Sequence, residues 1–415
     1  MSEVLVSPAA SDWRVTTLGE LCRAGGADIQ TGPFGSQLHA SDYVASGIPS
    51  VMPQNIGDNV IIEDGIARIA PEDAARLSRY LLRDGDIIYS RRGDVERRAL
   101  VRQAQEGWLC GTGCLRVRLG TSADPRFISY YLGHPDVREW IVRHAIGATM
   151  PNLNTGILSN VPVTLPPRLT QLAISGVLGP LDDKIAVNDR ICFVHEELLR
   201  SHFQELRIDV EDESADELPA SELIEFNPRT PTIRSSDAVY LDMSAVPTNS
   251  ALVRRWSRRE PKSGARFMNN DTVMARITPC LENGKVGFVD FMNEGEVGVG
   301  STEFIVMRAK PGVPVHLPYF LARSPRFQDH AIRNMVGSSG RQRVGAVQLA
   351  DFSITRPDPN SLAAFGTAAS IAFSHMKSLD AESKTLAELR DTLLPRLMSG
   401  EVRVREAERV VEDAT

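Results

Sequence analysis

The sequence predicts an α+β protein in which two similar globular domains are joined by two long helices. These are expected to pack antiparallel as a coiled coil, giving the chain pseudo-twofold symmetry. Three observations predict this: an ordered internal repeat, a helical apolar stripe closing each copy, and an acidic stretch between the copies. The chain has 415 residues, and at about 100–200 residues per domain that alone allows two to four domains.

The repeat is read element by element. Asp84-Gly85-Asp86-Ile87-Ile88-Tyr89-Ser90-Arg91, followed by Arg98-Ala99-Leu100-Val101, matches Asn270-Asp271-Thr272-Val273-Met274-Ala275-Arg276, followed by Gly284 to Val289. Both spell a turn, a strand ending in Arg, a loop and a second strand. Gly111 to Val117 then matches Gly300 to Val306, and Phe127–Ala145 matches Leu317–Met335, each with a Pro-marked break at Pro135 or Pro325. Leu158 to Pro166 matches Leu349 to Pro357. The offsets stay between about 185 and about 191 residues, far longer than a solenoid repeat of about 20–50. Each copy is therefore a whole domain plus a connector.

Helices close the copies. Leu178, Leu181 and Ile185, then Ile191, Val194 and Leu198, form the first stripe; Phe365, Ala369, Ala372, Met376, Leu379, Leu386, Leu389 and Leu393 form the second. Spacings of three, four and seven suit a coiled-coil seam. Gly179-Pro180 interrupts the first stripe, so its long helix is expected to start at Pro180, where proline fits a first turn. From Pro180 to Leu206 such a helix would span roughly 40 Å, close to the about 34–36 Å turn of B-DNA. Asp209, Glu211, Asp212, Glu213, Asp216 and Glu217 mark Glu205–Glu225 as a solvated linker. The expected organisation is a first domain over 1–166, a helix region over 167–206, linker and second domain over 207–357, a second helix over 358–405 and a frayed tail over 406–415.

Composition excludes several classes. With 42% hydrophobic residues the chain can build a core, and no run approaches 18 uninterrupted apolar residues, so no membrane span is expected. The first ten residues lack the pattern of a secretory signal. Cys22, Cys110, Cys114, Cys192 and Cys280 are scattered and odd in number, which fits reduced thiols in the cytoplasm. The motifs GxxxxGK[ST], HExxH, GxSxG and GxGxxG are missing; no catalytic, metal or cofactor site is expected. The net charge of −7, from 46 basic and 53 acidic residues, argues at first against nucleic acid. That sum is too coarse, because acid collects in the linker and along the helices while Arg gathers in domain loops.

Taken in order, Trp13-Arg14 to Leu21, Thr31-Gly32-Pro33-Phe34-Gly35-Ser36-Gln37-Leu38, Gly85-Asp86-Ile87-Ile88, Leu181-Asp182-Asp183-Lys184-Ile185 and Leu389-Arg390-Asp391-Thr392-Leu393-Leu394-Pro395 resemble the specificity subunits of type I restriction–modification systems. The resemblance implies a non-catalytic subunit with two target recognition domains. Each would read one half of a bipartite site in double-stranded DNA, with the helices setting the spacer. It also implies two modification (methyltransferase) subunits and ATP-dependent restriction subunits as partners, with S-adenosylmethionine, ATP and Mg2+ bound there and none in this chain. A related methylation-based defence system without classical restriction, or a scaffold that reads no sequence, is the alternative.

Arg suits bidentate contacts to guanine and Asn or Gln to adenine, while Lys and Arg also neutralise phosphates. Candidates in the first domain are Ser36 and Gln37, the cluster Arg91, Arg92, Arg97 and Arg98, and Asn152 and Asn154. In the second they are Arg254 and Arg255 beside Trp256, then Arg276, Lys285 and the loop carrying Arg341, Gln342 and Arg343. The arginines beside Asp94 and Glu96 would equally suit a solvated, ion-paired surface. Helix packing and partner contact are expected of Leu181, Ile185, Ile191, Val194, Leu198, Leu379, Leu386, Leu389 and Leu393.

Overall fold

The computed structural model describes residues 4–6, 12–63, 65–147, 150–210, 216–233, 236–338 and 340–414. Two compact units emerge, one of Met1–Ile185 with Lys384–Thr415 and one of Ala186–Ser383. Both boundaries fall inside the long helices Arg168–Glu205 and Pro359–Met398.

In the first unit a five-stranded sheet runs in the order Ile29–Thr31, Cys114–Val117, Ile87–Ser90, Arg98–Leu100, Asp58–Asn59. In the second, a four-stranded sheet runs Ile224–Phe226, Phe304–Ala309, Thr272–Ala275, Val286–Phe288. Each unit adds another four-stranded sheet and then three short helices: Pro125–Leu132, Pro135–His144 and Thr155–Ser159 in one, Leu317–Ala322, Pro325–Arg333 and Ala346–Ala350 in the other. A last strand, Pro162–Leu165 or Ser353–Thr355, pairs antiparallel with Arg14–Thr17 or Glu217–Pro219. The repeat read from the sequence is thus a repeat of structure.

Its most telling detail is the acidic turn. Gly85 and Asn270 take positive φ, and the following Asp86 and Asp271 accept the backbone N–H of Arg83 and Met268 at 2.8 and 2.7 Å. Each buried carboxylate also binds an arginine 32 or 37 residues later, Arg118 or Arg308, at 2.6 Å. A buried charge needs a partner and hydrogen bonds, so the same Asp–Arg solution locks the central strand in both units.

The long helices pair antiparallel within each unit. In the second, Asn188 lies against Leu379, Glu382 and Ser383, Cys192 against the Met376 carbonyl, and His195 against His375. The buried seam of the first helix is Leu178, Leu181, Asn188, Cys192, Leu199 and Phe203. Leu181 is in it, Ile185 lies at its edge, and Ile191 is partly buried. Val194 and Leu198, expected inside, are half exposed. The expected phase is wrong by one residue beyond Ile185, because the true seam carries polar Asn188 and Glu196, which a hydropathy pattern passes over. Leu379, Leu386, Leu389 and Leu393 of the second helix face inward as expected.

Three further expectations are corrected. The first helix begins at Arg168 and runs through Pro180; the carbonyl that Pro180 cannot serve belongs to Gly176, whose missing side chain leaves open space there. The tail is a helix, Val404–Ala414, seated on the first unit's core through Val404, Ala407 and Val411. The acidic stretch is largely domain: Glu217–Pro219 and Ile224–Phe226 are strands, with Leu218, Ala220 and Ile224 buried. Glu211, Asp212 and Glu213 lie outside the described residues. Among the described residues no helix is long and apolar enough to cross a membrane.

Candidate nucleic-acid interface

At one end of the main sheet of each unit, two loops are stitched together by the same backbone hydrogen bonds. In the first unit Leu153 N–H donates to the Arg91 carbonyl at 2.8 Å and Gly93 N–H to Pro151 at 3.1 Å, while Ile146 and Asn152 exchange bonds of 3.0 and 2.8 Å. In the second unit Val344 donates to Arg276 at 3.0 Å and Thr278 to Gln342 at 3.1 Å, while Val336 and Arg343 exchange two bonds of 2.9 Å. A third segment joins through Arg91 N–H to Gly113 at 2.8 Å and Arg276 N–H to Glu303 at 3.0 Å. Identical backbone geometry therefore presents different side chains. Where the first unit has Arg92, Gly93, Pro151 and Asn152, the second has Ile277, Thr278, Gln342 and Arg343.

The first unit's Gly32–Gln37 loop reaches the same sheet end. Gly32 donates to the Cys114 carbonyl at 2.9 Å, and a Cβ there would lie 2.1 Å from the Gly111 carbonyl, so only glycine fits. Ser36 is exposed; the Gln37 side-chain carbonyl accepts from Tyr80 Oη at 2.9 Å and from the Phe34 N–H at 3.2 Å. Exposed Phe34, Ile146 and Met150 give this end an apolar contribution. Arg92 is exposed and Arg91 half-buried, its Nε without a hydrogen-bond partner.

Several candidates are occupied elsewhere. Arg98 is buried, paired with Asp58 at 3.1 Å and donating to the Ser129 carbonyl at 2.6 Å; it is an interior residue. Arg97 pairs with Asp94, and Asn154 caps the helix Thr155–Ser159 by accepting from Ile157 N–H at 2.8 Å. In the second unit Lys285 donates to the carbonyls of Met243 and Val246 at 2.9 and 3.0 Å, pinning a loop. Arg254 bridges Asp189 and Asp380 of the two long helices at 2.6 and 2.9 Å. These are structural duties, and those of Arg98, Lys285 and Arg254 arise from carboxylates or carbonyls distant in sequence. Arg255 stays exposed, beside Trp256 stacked on Phe291.

Glu303 escaped the sequence reading. It takes Arg343 in a bidentate pair, Nη2 at 2.7 Å and Nε at 2.9 Å, and so fixes that guanidinium beside exposed Arg341. In the structure Glu303 takes the place of Gly113, whereas the match read from the sequence sets it opposite Cys114, one residue away. Ser339, in the same loop, lies outside the described residues.

No group of three or more metal-ligating side chains occurs among the described residues. The cysteines are free, and burial pushes the Cys22 and Cys110 thiols up to about 12.

Residues 10–191 match the family model of the type I restriction modification DNA specificity domain. The specificity subunit of the type I restriction enzyme EcoEI of Escherichia coli is 28% identical over 259 residues, which is 54% of this chain and 43% of that protein. The EcoAI specificity subunit of the same organism is 35% identical over 95 residues, 22% of this chain and 15% of that one. The matched segments thus span less than half the length of these curated relatives. The fold is similar to the crystal structure of the type I restriction-modification S subunit from M. genitalium, with a TM-score of 0.52 at 14% identity, covering 94% of this chain and 98% of that one. Residues 10–191 thus match the type I restriction modification DNA specificity domain, and the chain as a whole has a fold similar to that of an S subunit.

Proposed function

We propose that this chain is the sequence-reading subunit of a type I restriction–modification complex, working in the cytoplasm. Each unit reads one half of a bipartite site in double-stranded DNA. The observation that carries this reading is the pair of stitched loops, built alike in both units and furnished with different hydrogen-bonding side chains. One backbone frame with two sets of donors and acceptors is what two different half-sites require. The chain supplies recognition and assembly. Methyl transfer from S-adenosylmethionine and ATP- and Mg2+-dependent cleavage belong to the two modification subunits and the restriction subunits that it holds.

The test replaces Arg341, Gln342 and Arg343 together by Ala and measures binding by competition at fixed salt. The loss expected is about 1–3 kcal/mol per base pair read, confined to one half-site, with the methylating partner still co-purifying. Unchanged discrimination at both half-sites would remove this loop from recognition.

A further inference from the structure

The two units differ sharply beside the stitched loops. In the first, the space next to the main sheet is filled: Gln37 accepts from Tyr80 and from Arg76 Nη1 (2.8 Å, to its backbone carbonyl), and Leu38, Leu77 and Tyr80 are buried together. In the second, the corresponding segments stay apart and enclose an open cleft of about 580 Å³. Its walls carry Lys262, Arg266 and Arg276 with the hydroxyl-bearing Thr230, Ser263 and Thr302, and no carboxylate.

The local sequence explains the shape. The strand Ala265–Phe267 alternates, with Phe267 in the core and Arg266 outside. Gly264 lets this strand start close to its neighbour, since a Cβ there would sit 2.1 Å from the Gly300 carbonyl. Lys262 and Arg266 are exposed and make no ion pair among the described residues. The Arg276 Nε is buried without a hydrogen-bond partner. Like charges brought together with a donor unsatisfied favour an anionic occupant. Through the Val344–Arg276 bond this cleft adjoins the Arg341–Arg343 loop.

We infer that the cleft walled by Lys262, Arg266 and Arg276 holds the DNA sugar–phosphate backbone alongside the half-site read by the second unit. The first unit, its cleft filled by its own chain, lacks this grip. This rests on the DNA-reading function above. It adds a division of labour in that unit, with phosphates in the cleft and base edges at the loop.

The test compares the full chain with the Lys262→Ala/Arg266→Ala variant on a random-sequence 40-base-pair duplex and on a duplex bearing the target mapped from genomic methylation. Salt is varied throughout. Each phosphate contact contributes about −0.9 to the slope of log K against log salt, so the variant should lose about 2 from the slope's magnitude on both duplexes. The methylated motif should be unchanged. Both side chains are exposed, so folding is not at stake, and Arg276→Lys should retain most of the slope. An unaltered slope with normal wild-type binding overturns the cleft and leaves the DNA reading intact. A relaxed motif assigns the cleft to base reading and overturns the phosphate assignment. A wild-type chain that binds neither duplex, alone or with its methylating partner, overturns the DNA reading itself.

Discussion

The two units solve one packing problem with different chemistry. Each must fasten its recognition domain to the paired helices. The first does so with a buried charged network: Arg390 binds Asp182 at 2.7 Å, and Asp182 also accepts from Tyr130 at 2.7 Å and Asn59 at 3.1 Å. Burial alone would lower the Arg390 pKa, yet the charges of Asp182 and Asp391 and their hydrogen bonds together outweigh burial and raise it. The second unit keeps its ion pairs, Arg254 with Asp189 and Asp380, nearer the surface, and at the buried position it uses one acid. Glu196 takes the Tyr319 hydroxyl and the Ala251 N–H at 3.0 Å, and burial raises its pKa. A repeated fold therefore does not imply repeated energetics; a full ion pair, once built, makes each partner dependent on the other.

That difference can be broken most directly at Arg390. Arg390→Ala leaves the Asp182 charge buried, which should cost about 3–5 kcal/mol, whereas Glu196→Gln should cost about 1 kcal/mol. Denaturant melts of the two variants, followed by hydrogen exchange resolved to each unit, would check this. Equal losses would mean that the two fastenings are equivalent.

The helix seam offers the next contrast. Leu199→Ala removes a buried side chain and should cost about 2–5 kcal/mol; Leu198→Ala, one residue along and half exposed, should change stability by less than about 0.5 kcal/mol. The reverse order in melting would restore the phase expected from hydropathy.

Acid should separate the units more gently. His316 is buried between Phe288 and Phe373, and burial lowers its pKa to about 4. The matching place in the first unit holds exposed Arg126. Because the folded state binds His316's proton less readily than the unfolded state, its contribution is complete above about pH 6.5 and is lost as pH falls towards 4. The loss is about 3 kcal/mol at most. His316→Phe should flatten that part of the stability–pH curve; a curve parallel to the wild type's would show that another group governs it.

Much of this protein is legible in its residues. The repeat, the strand after each acidic turn, the helices closing each copy and the inward leucines of Pro359–Met398 follow from alternation, turn chemistry and spacing, which are local properties. The reading fails where a residue's fate depends on a distant partner. Arg98 looks like its neighbours Arg91, Arg92 and Arg97, yet it turns inward because Asp58 and the Ser129 carbonyl wait there. Arg254 and Lys285 are engaged within the chain for the same reason. Val194 and Leu198 yield the seam to Asn188 and Cys192, because helix phase is set by the neighbouring helix as well as by hydropathy.

Local sequence by itself determined that there are two copies and what each is made of, since turns and apolar periods are written residue by residue. Only the tertiary structure decided which cations are taken by acceptors inside the molecule. Ion pairs and hydrogen bonds form between residues far apart in the chain, and a basic residue is available only when no buried acceptor has taken it.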